Sequence, residues 1–164
     1  MMITLYHGSN VEIEQIDLTL SKKGKDFGCG FYLNANMQQA SDMAVRTFRR
    51  MMSGSPIVNA YTFDDSILRE PSDLKVKVFD DYTVEWADFV LMNRKNNSTI
   101  SVHPYDIVIG PIANDTVGVQ IRRYIMGYIS IENLIEELRF KGNHAVQYYF
   151  GTQKAINLLN KVSL

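Results

Sequence analysis

One cysteine in 164 residues, Cys29, excludes an internal disulfide and fits a reducing compartment. No apolar run approaches the ~20 residues needed to span a bilayer. The opening "MMITLYHGSN" lacks the basic-then-apolar build of a signal peptide, so the expectation is a cytoplasmic protein. Charge of one sign is missing too: the formal net charge is −1, which favours neither nucleic acid nor an anionic membrane as a partner. The four prolines are scattered, low-complexity tracts and repeats are absent, and no linker marks a boundary. No phosphate loop of the form G-x-x-x-x-G-K-[ST] occurs, and no histidine–cysteine or histidine–carboxylate cluster has metal spacing. What remains is 46% hydrophobic and 21% charged, the balance of one globular domain over 1–164.

Periodicity predicts short strands at "ITLYHG", "GFYLN", "PIVNAYTFD", "LKVKVF", "YDIVIGPI" and "HAVQYYF". Helices are expected from Asn36, as cap, to about Met52, with Ala40, Met43, Ala44, Val45, Phe48 and Met51 as the apolar stripe. Others are expected over "DYTVEWADFVLMNRKN", "NDTVGVQIRRYIMG" and, capped by Ser130, "IENLIEEL", with "TQKAINLLNKV" closing the chain. Strands and helices do not alternate regularly, so an α+β domain fits better than a doubly wound parallel sheet. The G-x-G at 28–30 precedes a strand instead of joining strand to helix, which excludes a dinucleotide fingerprint by context.

Three strands offer distinctive side chains: His7 in "YHGS", Tyr32 in "GCGFYL" and Gln147 in "HAVQYYF". "YHGS", then "DFGCGFYLNANMQQASDMA", then a late strand followed by a helix, resembles the His–Tyr–Glu class of ADP-ribosyltransferases. More widely, "LYHGSN", "KDFGCGFYLNAN", "WADFVLMNR", "YDIVIGPIAND" and "QYYFGTQKAINLL" resemble a bacterial family of divergent ADP-ribosyltransferase-like proteins. That resemblance implies a split β-sheet core, two small antiparallel or mixed sheets flanked by helices. It also implies NAD as substrate, an acceptor for ADP-ribose, and a place as the toxin of a toxin–antitoxin pair with a small partner protein.

By the same resemblance, Tyr32 would stack on nicotinamide, a contact worth roughly 0.5–1.5 kcal/mol. His7 would bind a hydroxyl of the adenosine ribose, Gly8 would offer backbone groups to the amide, and Ser9 a hydroxyl. Gly28 and Gly30 would let the backbone approach a flat ring without a Cβ in the way. Asn114 and Asp115, in "IAND", either cap the next helix or join the site. The third family position is usually glutamate, which steadies the oxocarbenium-like cation; here it is Gln147, which accepts a hydrogen bond but carries no charge. Transfer of a single ADP-ribose is therefore expected over chain elongation. Two alternatives stand beside it: a module that binds NAD or ADP-ribose without turnover, and an endoribonuclease-type toxin, which the near-neutral charge disfavours. Cys29 reads as a small residue in a glycine turn, Asp88 and Arg94 as a structural ion pair, and "RTFRR" at 46–50 as a solvated helix face.

Overall fold

The computed structural model describes residues 1–164 except Pro71, Asn114 and Asn143, and every side chain but that of Asp115. Strands β1 (Met2–Ser9), β2 (Phe31–Asn34), β3 (Ile57–Asp64), β4 (Val76–Val78), β5 (Ile107–Pro111), β6 (Val146–Phe150) and β7 (Asn160–Val162) form one seven-stranded sheet. Its order is β4-β5-β6-β2-β1-β3-β7, parallel between β4 and β5 and antiparallel elsewhere. Helices α1 (Met37–Met51), α2 (Val84–Lys95), α3 (Asp115–Ile125), α4 (Ile131–Lys141) and α5 (Gln153–Ile156) complete the α+β fold. No described helix is long and apolar enough to cross a membrane.

Alternation along the strands divides the apolar residues between two faces. Val108 and Tyr149 pack with Phe27, Trp86, Phe89, Val117, Ile121, Leu134 and Leu138, so α2, α3 and α4 cover one face. Their strand neighbours Ile107, Ile109 and Phe150 turn the other way, to Leu5, Leu33, Phe63 and the α5 residues Ala155 and Ile156. Helix α2 is buried beyond a single stripe: Ala87 and Leu91 join Trp86, Phe89, Val90 and Asn93 inside.

The sheet is unevenly stitched. β1 pairs with β3 over eight residues and β2 with β6 over four, but β1 and β2 share the single pair Tyr6↔Asn34. In place of the two separate sheets expected, the strands form one sheet with a one-pair seam.

Most helix ends follow the sequence. Asn36 caps α1 by accepting from the N–H groups of Gln38 and Gln39, Ser130 caps α4, and Gly142 follows its last turn. The α1 stripe differs: Ala40 and Ala44 are buried, whereas Met43 and Met51 are half exposed. The cause is close approach, because a Cβ at Gly8 would lie 2.0 Å from the Ala40 carbonyl oxygen, so small residues form the contact. The predicted closing helix is also corrected. Only Gln153–Ile156 is helical, and Asn160–Val162 instead pairs with β3. An isolated helix of this length is marginal, while the open edge of β3 supplies backbone partners for a strand.

Candidate functional site

The loop 25–30 is held from every side. Phe27 is fully buried, ringed by Tyr32, Phe79, Phe89 and Tyr149 at centroid distances of 5.9–6.4 Å. Its N–H donates to the Tyr32 hydroxyl (3.0 Å), which itself donates to the Gly28 carbonyl (2.7 Å). The Phe27 carbonyl accepts from His103 Nε2 (2.8 Å), and the Cys29 carbonyl from the Tyr149 hydroxyl (2.9 Å). Because a carbonyl can only accept, His103 is protonated at Nε2, and its Nδ1 accepts from the Tyr105 N–H.

The two loop glycines have separate causes, and neither needs a ligand. Gly28 has φ +95°, a conformation that side chains resist. A Cβ at Gly30 would lie 2.2 Å from the Tyr149 ring. The flat ring beside Gly30 is therefore the protein's own. The corresponding space at Gly8 is filled by α1, as described above. Ser9 is buried, and its hydroxyl accepts from the Val11 N–H (3.4 Å), closing the turn after β1.

Tyr32 and Gln147 share a face of the sheet, since Tyr32 pairs with Tyr149, two residues along from Gln147. The Tyr32 ring lies 5.3 Å from that of Tyr149. Burial pushes its phenol well above the usual range, so it stays neutral. Gln147 is buried, and its amide nitrogen donates to Asp26 Oδ2 (3.1 Å) and to the Pro111 carbonyl (3.4 Å). Among the described residues its carbonyl oxygen has no hydrogen-bond partner.

His7 sits on the other side. Its imidazole stacks on Phe31 (4.5 Å), and Phe31 meets Tyr61 edge-on (5.6 Å). The link to Tyr32 is through the backbone: His7 Nδ1 donates to the Tyr32 carbonyl (2.8 Å). That fixes the proton on Nδ1 and leaves Nε2 as an acceptor. Burial lowers the imidazole pKa, opposed by the bond to Tyr32 and reinforced by Lys25, so the neutral form dominates at pH 7. The imidazole and the phenol therefore do not face one another across one cavity. Tyr32 meets Gln147's neighbour directly and His7 only through its own main chain.

Asp26 was missed in the sequence. Its Oδ1 accepts from Arg94 Nε (2.8 Å) and pairs with the same guanidinium's terminal nitrogen (2.8 Å). Its Oδ2 takes Gln147 and the Ala113 N–H (3.4 Å). Arg94 thus pairs with Asp26, not with Asp88 as expected. The available signal was a lone acid beside the glycines in "GKDFG", but its partners are 68 and 121 residues away. Tyr149 was missed as well; glycines at 30 and 151 both make room for its ring.

Asn114 and the Asp115 side chain lie outside the described residues. Cys29 is half-buried with a free thiol. An open groove beside the seam is lined by Asn34–Gln39, Ala145, Val146 and Tyr148, and none of His7, Tyr32 or Gln147 lines it. No curated protein and no solved structure matches the chain. Residues 3–160 match the family described as "Protein of unknown function (DUF3990)", and the chain belongs to that family.

Proposed function

We propose that the protein is a cytoplasmic NAD-dependent mono-ADP-ribosyltransferase, the toxin of a bacterial toxin–antitoxin pair, and that the one-pair seam is a split-sheet core of the ADP-ribosyltransferase kind. The observation that carries this reading is His7 at the seam, with Nδ1 tied to the Tyr32 carbonyl and Nε2 left to accept a hydroxyl proton. NAD laid across the seam would offer Nε2 a ribose hydroxyl. Gln147 lies on the opposite face of the sheet, with Asp26 and Pro111 holding its amide nitrogen and its carbonyl oxygen left as an acceptor, so it and His7 would reach one NAD molecule only where β1 and β2 diverge beyond their single pair.

In the reaction the bond from the ribose anomeric carbon to the nicotinamide nitrogen breaks. Its electron pair neutralises the pyridinium, and a nucleophile on the acceptor forms the new glycosidic bond while losing its proton to solvent. Gln147 steadies the ribose by a hydrogen bond alone. Replacing a fixed carboxylate by an amide forfeits on the order of 3 kcal/mol of transition-state stabilisation, about a hundredfold in rate. The reading is therefore of a slow enzyme that transfers one ADP-ribose.

Incubation of the protein with labelled NAD and a bacterial lysate tests this. Release of nicotinamide and transfer of label are expected, both reduced at least tenfold by His7→Ala and by Gln147→Ala. Absence of both from the wild type overturns it. A second reading, binding without turnover, is favoured by one observation: the carboxylate in contact with Gln147, that of Asp26, is neutralised by Arg94. Calorimetry that gives NAD or ADP-ribose binding, together with no released nicotinamide, selects this second reading.

A further inference from the structure

Helix α4 buries Leu134, Ile135 and Leu138, yet carries a second stripe, Glu132, Ile135, Glu136, Arg139 and Phe140, spaced to share one face. With Val84 from the start of α2, this stripe lines an open, mostly apolar groove of about 620 Å³. Phe140 stands at its end 86% exposed, the most exposed aromatic side chain among the described residues. Among the described residues no ring stacks on Phe140, and with Ile135 and Val84 it forms one contiguous apolar patch, the kind of surface that marks association.

The charges on the helix say what fits. On the groove face it carries Glu132 and Glu136 and then Arg139, while Lys141 in the last turn is paired with Glu137 of its own helix. We propose that this face joins two copies of the chain, with their α4 helices antiparallel about a twofold axis crossing between Glu136 and Arg139. Glu136 of each copy then lies over Arg139 of the other on both sides of the axis, and the helix dipoles oppose. A parallel pairing would instead set like charges together.

The register follows from the axis. Phe140 of each copy enters the groove beside Ile135 and Val84 of the other, and Glu136 of each faces Arg139 of the other. Arg139 is already held in place: its Nε donates to the Tyr82 carbonyl (3.2 Å) and lies 3.4 Å from Asp81 Oδ2, which leaves its terminal nitrogens for the second copy. Each contact occurs twice, as an isologous interface requires. Knob, groove and both charges belong to one stripe of one chain, which is why a second copy fits it better than an unrelated protein.

Sedimentation of the full chain at about 100 μM, above the micromolar upper end of typical interface dissociation constants, gives the first result: a dimer is expected. Phe140→Glu should weaken it by about thirtyfold or more, since central aromatic anchors dominate such interfaces. Its circular dichroism should match wild type, because the side chain is outside the fold. A monomeric wild type, or a dimer that Phe140→Glu leaves undiminished, overturns the proposal. Glu136→Arg and Arg139→Glu should each be monomeric alone, and their equimolar mixture dimeric, because the mixture restores opposite charges at both contacts. A mixture that stays monomeric refutes the antiparallel register.

Discussion

The Tyr32 hydroxyl accepts the Phe27 N–H and donates to the Gly28 carbonyl, so one oxygen closes the loop that carries both glycines. Tyr32→Phe keeps the ring and removes that oxygen, leaving a backbone donor and a backbone acceptor short of partners. We expect a loss of about 1–3 kcal/mol in urea unfolding, with the native fold retained. A loss near zero would mean that the loop is held by His103 and Tyr149 alone. At this scale the sequence showed which residues are distinctive but not what each touches. "GCGFYL" marks Tyr32 for attention, yet the partner of its phenol is the loop just before it. Asp26 went unnoticed because the residues it joins, Arg94 and Gln147, are adjacent only in the folded chain.

Among the elements, the contact of α1 with β1 depends most on a single hydrogen atom. Gly8→Ala would put a methyl 2.0 Å from the Ala40 carbonyl oxygen and 2.6 Å from the Ala44 nitrogen, both backbone atoms that no rotamer change can move. The helix must shift as a body. A destabilisation of about 1–3 kcal/mol, or failure to fold, is expected from overpacking of this kind. Thermal melting of the variant checks it, and an unchanged midpoint would show that α1 glides on the sheet without cost. Caps were legible because they act within four residues, as at Asn36 and Ser130. The strand at Asn160–Val162 was not, because its reason is the unpaired edge of β3, about a hundred residues earlier. Asn157 and Asn160, both poor helix formers, were the only local hint that the helix ends early.

For the whole molecule, His7 and His103 give stability a defined dependence on pH. Burial is the first cause that lowers each below the ordinary value of 6.5, so in both cases folding favours the neutral ring. Above 6.5 both states are neutral and the stabilisation is complete. As pH falls below 6.5 the unfolded chain takes up protons first, and stability declines until the folded-state values are passed. Urea midpoints should therefore be level above pH 7 and fall between pH 6.5 and the lowered values. The decline should be shallower in His103→Asn, and a flat profile from pH 7 to 5 would contradict the assignment of neutral rings. At this scale the α+β class was readable from the irregular succession of strands and helices. The strand order was not, because β6 reaches its place between β5 and β2 through pairings no local pattern encodes.

The seam between β1 and β2 has a mechanical meaning. A line between β1 and β2 crosses one backbone pair, Tyr6↔Asn34, while every other line through the sheet crosses at least three. The backbone ladder is thus thinnest beside His7, and the two parts of the sheet are joined there chiefly by side chains, Leu5 and Phe63 of one packing with Leu33 and Phe150 of the other.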